Sequence, residues 1–209
     1  KSSNEDTIYL LGPKYALLRE EFRNLPDKEI KKTVKNILVT MGGADPLNLI
    51  PKVLKAINEI EEKDMHVDIV IGPAVYNDGK ILESLRELNH EVFLVFNTSK
   101  ISKLMLKSDL AISAGGGTLY ELAVTGTPAI VLLQADNQIP VAEAMEERET
   151  IINMGFGNRL KVEKLTDRIM ELINDPDKRN EMSKRGKELI DGLGAKRCVD
   201  VILNRKEKW

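Results

Sequence analysis

Short apolar runs alternate with amphipathic segments along most of this chain, and that alternation restricts it to one fold class. Asn36–Met41 is a continuous hydrophobic stretch of the kind expected of a strand buried on both faces, and Val67–Ile71, Glu91–Phe96, Leu110–Ser113 and Pro128–Leu133 are further apolar runs that read as strands. Between them lie helical patterns. Asp45-Pro46 reads as a helix start, with Asp45 as N-cap and proline at the first helical position. Leu49, Ile50, Val53, Leu54, Ile57 and Ile60 then form one apolar stripe on a helix that should end near Glu62. Asp78–Leu88 is predicted to turn Ile81, Leu82, Leu85 and Leu88 inward, and Ile101–Lys107, Thr118–Thr125 and Gln138–Glu147 read as further helices. A weaker edge strand, Thr150–Asn153, precedes Gly155-Phe156-Gly157. The strict alternation predicts an α/β fold, a Rossmann-like parallel sheet of about six strands with helices on both faces.

The flanks differ from this core. Residues 1–35 form a lead-in: an apolar piece at Ile8–Leu11, a Gly12-Pro13 breaker, a helical turn over Tyr15–Phe22 and a charged connector around Pro26. Residues 36–160 carry the alternation, and residues 161–209 read as helical, with segments Glu163–Asn174, Pro176 or Asp177 to Asp191, and Ala195 to about Lys206 that should cover the sheet edge. The whole is expected to be one domain of 209 residues.

Composition narrows the function. A net charge of −2 arises from intermixed signs with only 4% aromatics, so a nucleic-acid surface of basic stripe and stacking rings is excluded. No run approaches the roughly 18 to 20 apolar residues of a membrane span. The single Cys198 forms no internal disulfide, which fits a cytoplasmic protein. The polar opening lacks Met, pointing to a portion of a longer chain. His66 and His90 each stand alone before a strand and read as surface histidines, so neither a metal cluster nor a Ser/His/Asp set can be assembled. A general base is absent from this chain, or is a carboxylate without a distinguishing pattern.

Parallel strands place their following loops on one edge, and here those loops are small and polar. Gly42-Gly43-Ala44-Asp45, with Asn48 one turn on, Asn97-Thr98-Ser99, Ala114-Gly115-Gly116-Gly117-Thr118 and Gln134-Ala135-Asp136-Asn137-Gln138 all converge there. Bare backbone amides at a helix start attract anions, which makes a phosphate-bearing ligand the first expectation. Neither a Gly-x-Gly-x-x-Gly fingerprint nor a phosphate loop ending in Gly-Lys-Ser/Thr is present, which argues against a dinucleotide-dependent oxidoreductase. Gly115–Gly117 equally suits a tight turn required for packing. Glu121 has two readings as well: Thr118-x-x-Glu121 fits a capping box, and a carboxylate there could instead accept two sugar hydroxyls. Asp45 suits a cap better than a catalyst, and Asp136, Asn137 and Gln138 offer more polar groups than one helix cap uses.

Three blocks carry a family resemblance: Leu11-Gly12-Pro13-Lys14-Tyr15-Ala16-Leu17-Leu18-Arg19-Glu20-Glu21-Phe22, Gly42-Gly43-Ala44-Asp45-Pro46-Leu47-Asn48, and Ser113-Ala114-Gly115-Gly116-Gly117-Thr118-Leu119-Tyr120-Glu121-Leu122-Ala123. With Pro128 and Asn137-Gln138, they make most of the chain resemble the C-terminal half of the PseG-like nucleotide-sugar hydrolases and the related spore-coat polysaccharide proteins. More distantly it is similar to the MurG-type glycosyltransferases of the GT-B fold. The resemblance implies that Glu121 meets ribose hydroxyls, that Gly116, Gly117 and Thr118 hold the diphosphate, and that Gly42 and Gly43 line its other side. It also implies that Asn97 meets uracil through its backbone and that Asn137 and Gln138 approach the sugar; Asp45, Asn48, Ala114 and Gly115 complete the candidate set. A UDP-sugar or similar nucleotide sugar is the implied ligand, with no cofactor and no metal. The catalytic histidine is expected in an N-terminal domain of the same protein, leaving this portion little or no activity of its own. A non-catalytic interaction domain that keeps the fold is the alternative of another class.

Overall fold

A computed structural model describes residues 7–61, 65–75, 78–86, 88–96 and 98–206. Six strands, β1 (Asn36–Thr40), β2 (His66–Ile71), β3 (Glu91–Phe96), β4 (Leu110–Ala114), β5 (Ala129–Leu133) and β6 (Ile151–Phe156), form one sheet in the order β3-β2-β1-β4-β5-β6. All five pairings are parallel, so each pair needs a crossover, and helices fill that requirement. They are α1 (Leu49–Asn58), α2 (Asp78–Arg86), α3 (Ile101–Lys107), α4 (Thr118–Thr125) and α5 (Ile139–Glu146), followed by α6 (Val162–Asn174), α7 (Pro176–Leu189) and α8 (Gly194–Lys206). The α/β, Rossmann-like expectation therefore holds.

Burial follows the two faces of the sheet. On one, Ile37, Val39, Ile69 and Ile112 pack with Val53, Leu54 and Ile57 of α1 and Leu165, Ile169 and Leu172 of α6; on the other, Leu38, Ala111 and Val131 meet Leu119 and Leu122 of α4 and Met145 of α5. Burying such stripes supplies most of the helices' stability, since segments this short are marginal alone. Gly126 ends α4 in the left-handed region at φ 66°, a conformation open to glycine without strain. Buried Arg179 fastens the C-terminal helices to the lead-in, its guanidinium donating to the carbonyls of Leu172, Ile173, Lys31 and Lys32. Among the described residues no helix is long and apolar enough to cross a membrane.

Several local expectations are corrected. The first helix starts at Leu49 rather than Pro46, because Asn48 takes a left-handed conformation (φ 51°, ψ 52°) that closes a separate turn onto the Asp45 carbonyl. It ends at Asn58; Glu62 lies outside the described residues. Leu82 is 52% exposed, so the apolar face of α2 is narrower than its leucines imply. The lead-in makes two 3-10 turns, Pro13–Tyr15 and Glu20–Phe22, where one helical turn was expected. β6 runs on through Phe156 because an irregularity between Val131 and Leu133 of β5 lets the edge strand stay paired past Gly155. His66 does not stand alone: parallel register sets it opposite Glu91, and it stacks on Phe93 at 4.6 Å with the Asp68 carboxylate 3.0 Å away.

Candidate functional site

The strand order reverses between β1 and β4, and open parallel sheets hold ligands in the crevice such a reversal creates. An open cleft of about 240 Å³ lies there, at the carboxyl ends of β1 and β2 and the start of α4. Thr40, Gly42 and Gly43 form one wall, Gly72 and Pro73 a second, Thr118 and Glu121 a third; Arg19 of the lead-in, Thr98 and Ile101 close the rest.

Backbone proximity shapes the floor. Gly42 has φ 75°, which turns the chain sharply out of β1, and a side chain at Gly72 would put its Cβ 2.2 Å from the Gly42 carbonyl oxygen. Glycine at position 72 thus lets two strand ends approach within backbone contact, and Ala74 N–H donates to the Gly43 carbonyl across that contact at 3.0 Å.

Two of the helices that begin at this edge, α1 and α4, differ at their N-termini. The N-terminus of α1 is closed: the Asp45 carboxylate accepts from the amides of Leu49 at 2.8 Å and Ile50 at 2.9 Å, one through each oxygen. Asp45 is therefore a cap, as its pattern implied, but from outside the helix by four residues. The N-terminus of α4 is open. Gly117 precedes it and no side chain caps it, while the Leu119 and Tyr120 amides bond the carbonyls of Gly116 and Gly117. The amides of Gly117 and Thr118 are left without an acceptor among the described residues, together with the positive end of the helix dipole.

The capping-box reading of Thr118 and Glu121 is not realised. Glu121 instead points into the cleft, where its Oε1 accepts from the Arg19 guanidinium at 3.0 Å. Its side chain is only 17% exposed. Burial pushes the Glu121 carboxyl above its ordinary value, and the hydrogen bond from Arg19 opposes that push.

The predicted residues divide by place. Gly42, Gly43, Thr118 and Glu121 line the cleft, and Gly116 and Gly117 lead into α4 immediately before the lining residue Thr118. Ala114 and Gly115 lie beneath, buried, with Gly115 pressed so close to Leu133 and Gln138 that a Cβ would come within 2.6 Å of Leu133. Asp45 and Asn48 form the entry to α1. The structure does not bring Asn137 or Gln138 into the cleft wall. Asn137 is exposed on a 3-10 turn, and Gln138 Oε1 accepts from the Gln134 amide at 2.8 Å, holding the end of β5. Asn97 lies outside the described residues.

Sequence reasoning missed Arg19, Thr40 and Gly72-Pro73, while Thr98 lies in a loop it had already placed on this edge. Gly72-Pro73 was legible as a strand-end breaker on the same edge, and Thr40 as the last polar residue of its strand. Arg19 lacked any such signal of its own, since its partner is 102 positions away.

Comparison with known proteins agrees with the topology. The chain is 30% identical over 199 residues to the spore coat polysaccharide biosynthesis protein SpsG of Bacillus subtilis, covering 94% of this chain and 58% of that protein. It is 32% identical over 144 residues to a Helicobacter pylori protein named pseudaminic acid cytidylyltransferase and UDP-2,4-diacetamido-2,4,6-trideoxy-beta-L-altropyranose hydrolase, covering 68% of this chain and 25% of that one. The chain thus spans little more than half the length of the first relative. The crystal structure of Acinetobacter baumannii MurG shares its fold with a TM-score of 0.69 at 17% identity, over 92% of this chain and 55% of MurG. Residues 36–197 match the glycosyltransferase family 28 C-terminal domain, so the chain belongs to that family.

Proposed function

We propose that this chain is the nucleotide-binding part of an enzyme that hydrolyses the sugar–nucleotide bond of a UDP-activated amino sugar, in surface polysaccharide or nonulosonic acid biosynthesis. The observation that carries the proposal is the uncapped α4 N-terminus facing the same cleft as the Glu121 carboxylate. A nucleoside diphosphate needs both groups: amides and a helix dipole for its phosphates, and an acceptor for its ribose hydroxyls. In this reading Gly116, Gly117 and Thr118 receive the diphosphate, Gly42 and Gly43 flank it, and Glu121 holds the ribose. Residues 1–35 would then be a lead-in from an N-terminal domain, 36–160 the binding core and 161–209 its helical cover.

Hydrolysis draws support from the kinship with the H. pylori protein, whose name includes a UDP-sugar hydrolase. Donor binding in a glycosyltransferase is the second reading, supported by the name of the family itself. The two share this cleft and differ in what attacks the anomeric carbon, water or a sugar hydroxyl. That difference belongs to the remainder of the protein, where the catalytic group is proposed to reside.

Calorimetric titration of the chain with UDP, uridine and pyrophosphate tests the binding half. UDP is expected to bind more tightly than either fragment, and a folded sample indifferent to millimolar UDP would overturn the reading. Incubating the full-length protein with a UDP-N-acetylated sugar separates the reactions: free sugar released without an acceptor indicates hydrolysis, and dependence on an added acceptor indicates transfer.

A further inference from the structure

We infer that Arg19 is a positioning residue that fixes the orientation of the Glu121 carboxylate in the cleft, so that the lead-in completes the nucleotide site. The inference rests on the nucleotide reading of Glu121 and adds to it a residue outside the strand-end loops. Arg19 is held from three sides. Its guanidinium meets Glu121 at 3.0 Å and Glu21 at 3.0 Å, and it lies over the Phe22 ring at 5.4 Å. Glu21 is itself anchored by the Ser102 amide at the start of α3, 3.1 Å away. The guanidinium is thus placed by the fold, although its side chain is half exposed.

The consequence for Glu121 is electrostatic. Burial shifts this carboxyl toward its protonated form, and a protonated carboxyl offers ribose one acceptor oxygen fewer. Two charged groups act on it, Arg19 in favour of ionisation and Glu21 against it. The walls contributed by β1, β2 and α3 bring Thr40, Gly42, Gly72 and Ile101, none of them charged, and Arg19 is the one cation lining the cleft among the described residues. Since Arg19 engages only Oε1, Oε2 stays available for a hydroxyl.

The test compares wild type with Arg19→Met and Arg19→Lys. Carbon-detected NMR titration of the Glu121 carboxyl, without ligand, is expected to show protonation at higher pH in Arg19→Met and an intermediate position in Arg19→Lys. Uridine and UDP binding, followed from pH 5 to 8, should weaken together in Arg19→Met, about tenfold at the acid end, and recover as pH rises. An unchanged Glu121 titration in a folded Arg19→Met protein overturns the inference, whether or not UDP binds. A loss confined to UDP and independent of pH also overturns it, since Arg19 would then serve the phosphates directly. Should wild-type protein show the Arg19-dependent titration and ignore UDP and uridine, the nucleotide reading fails and the ion pair is purely structural.

Discussion

The β1–α1 and β4–α4 junctions leave the sheet on the same edge, each through small residues into a helix, and they end in opposite states. At the first, Asp45 closes the helix with both carboxylate oxygens. At the second, the residue that could have closed the helix, Glu121, turns away to Arg19 and the cleft. A capped terminus has its amides satisfied and contributes stability; an uncapped one facing a cleft retains donors for a ligand. The acidic residue near a helix start is therefore informative only once its partner is known.

Substitutions at the two junctions should separate these roles. The largest effect is expected from Glu121→Ala, which removes the acceptor in the cleft without removing a cap. UDP binding should fall by about two orders of magnitude, as when a charge-assisted bidentate contact is lost, with the unfolding midpoint close to wild type. If binding survives, the second junction is no more than a tight turn.

Glycines sharpen the contrast next. Gly72→Ala drives a Cβ against the Gly42 and Gly43 carbonyls at 2.2 and 2.6 Å and should destabilise the fold by about 1–3 kcal/mol or more, read by urea unfolding. A Cβ at Gly116 meets nothing within 4 Å, so Gly116→Ala should leave unfolding unchanged while its methyl obstructs the phosphate path and weakens UDP binding several-fold. Equal effects of the two on stability would mean that the α4 mouth is packed rather than open.

Asp45→Ala comes third. Losing the α1 cap should cost about 1 kcal/mol in urea unfolding, with UDP affinity within a factor of two of wild type. The smallest effect lies away from both junctions. Arg197 holds the Asp191 carboxyl down to about 2, below its unfolded value near 4. A lowered carboxylate contributes stability that is present above the unfolded value and lost as pH falls through the folded one. Asp191→Asn should thus cost a few tenths of a kcal/mol at pH 6, because the pair is largely exposed, and that difference should vanish as pH approaches 2.

Much of this was legible in the sequence because period and burial carry it. Continuous apolar runs gave strands within a few residues of their true limits, and parallel topology alone required Gly42, Thr98 and Thr118 to share an edge. What failed depended on geometry that no local pattern encodes. Asn48's left-handed turn moved the start of α1, while Asp45 could still reach its amides across it. Thr118-x-x-Glu121 satisfies the capping pattern, yet the competing partner for Glu121 lies in a lead-in with no periodicity to assign its place. Gln138 carries the polarity expected of a ligand contact, but the strand end beside it had an amide to satisfy. In each case the partner actually met decided between two uses of one polar side chain, distant for Glu121 and only a few residues away for Asp45 and Gln138.

Amide chemical shifts during a UDP titration test the difference between the junctions most directly. Saturable shifts are expected at Gly42, Gly43, Gly116, Gly117 and Thr118, with the Leu49 and Ile50 amides, already bound by Asp45, unmoved. Shifts at Leu49 and Ile50 equal to those at Gly117 and Thr118, or no shifts at millimolar UDP in a folded sample, would contradict that difference.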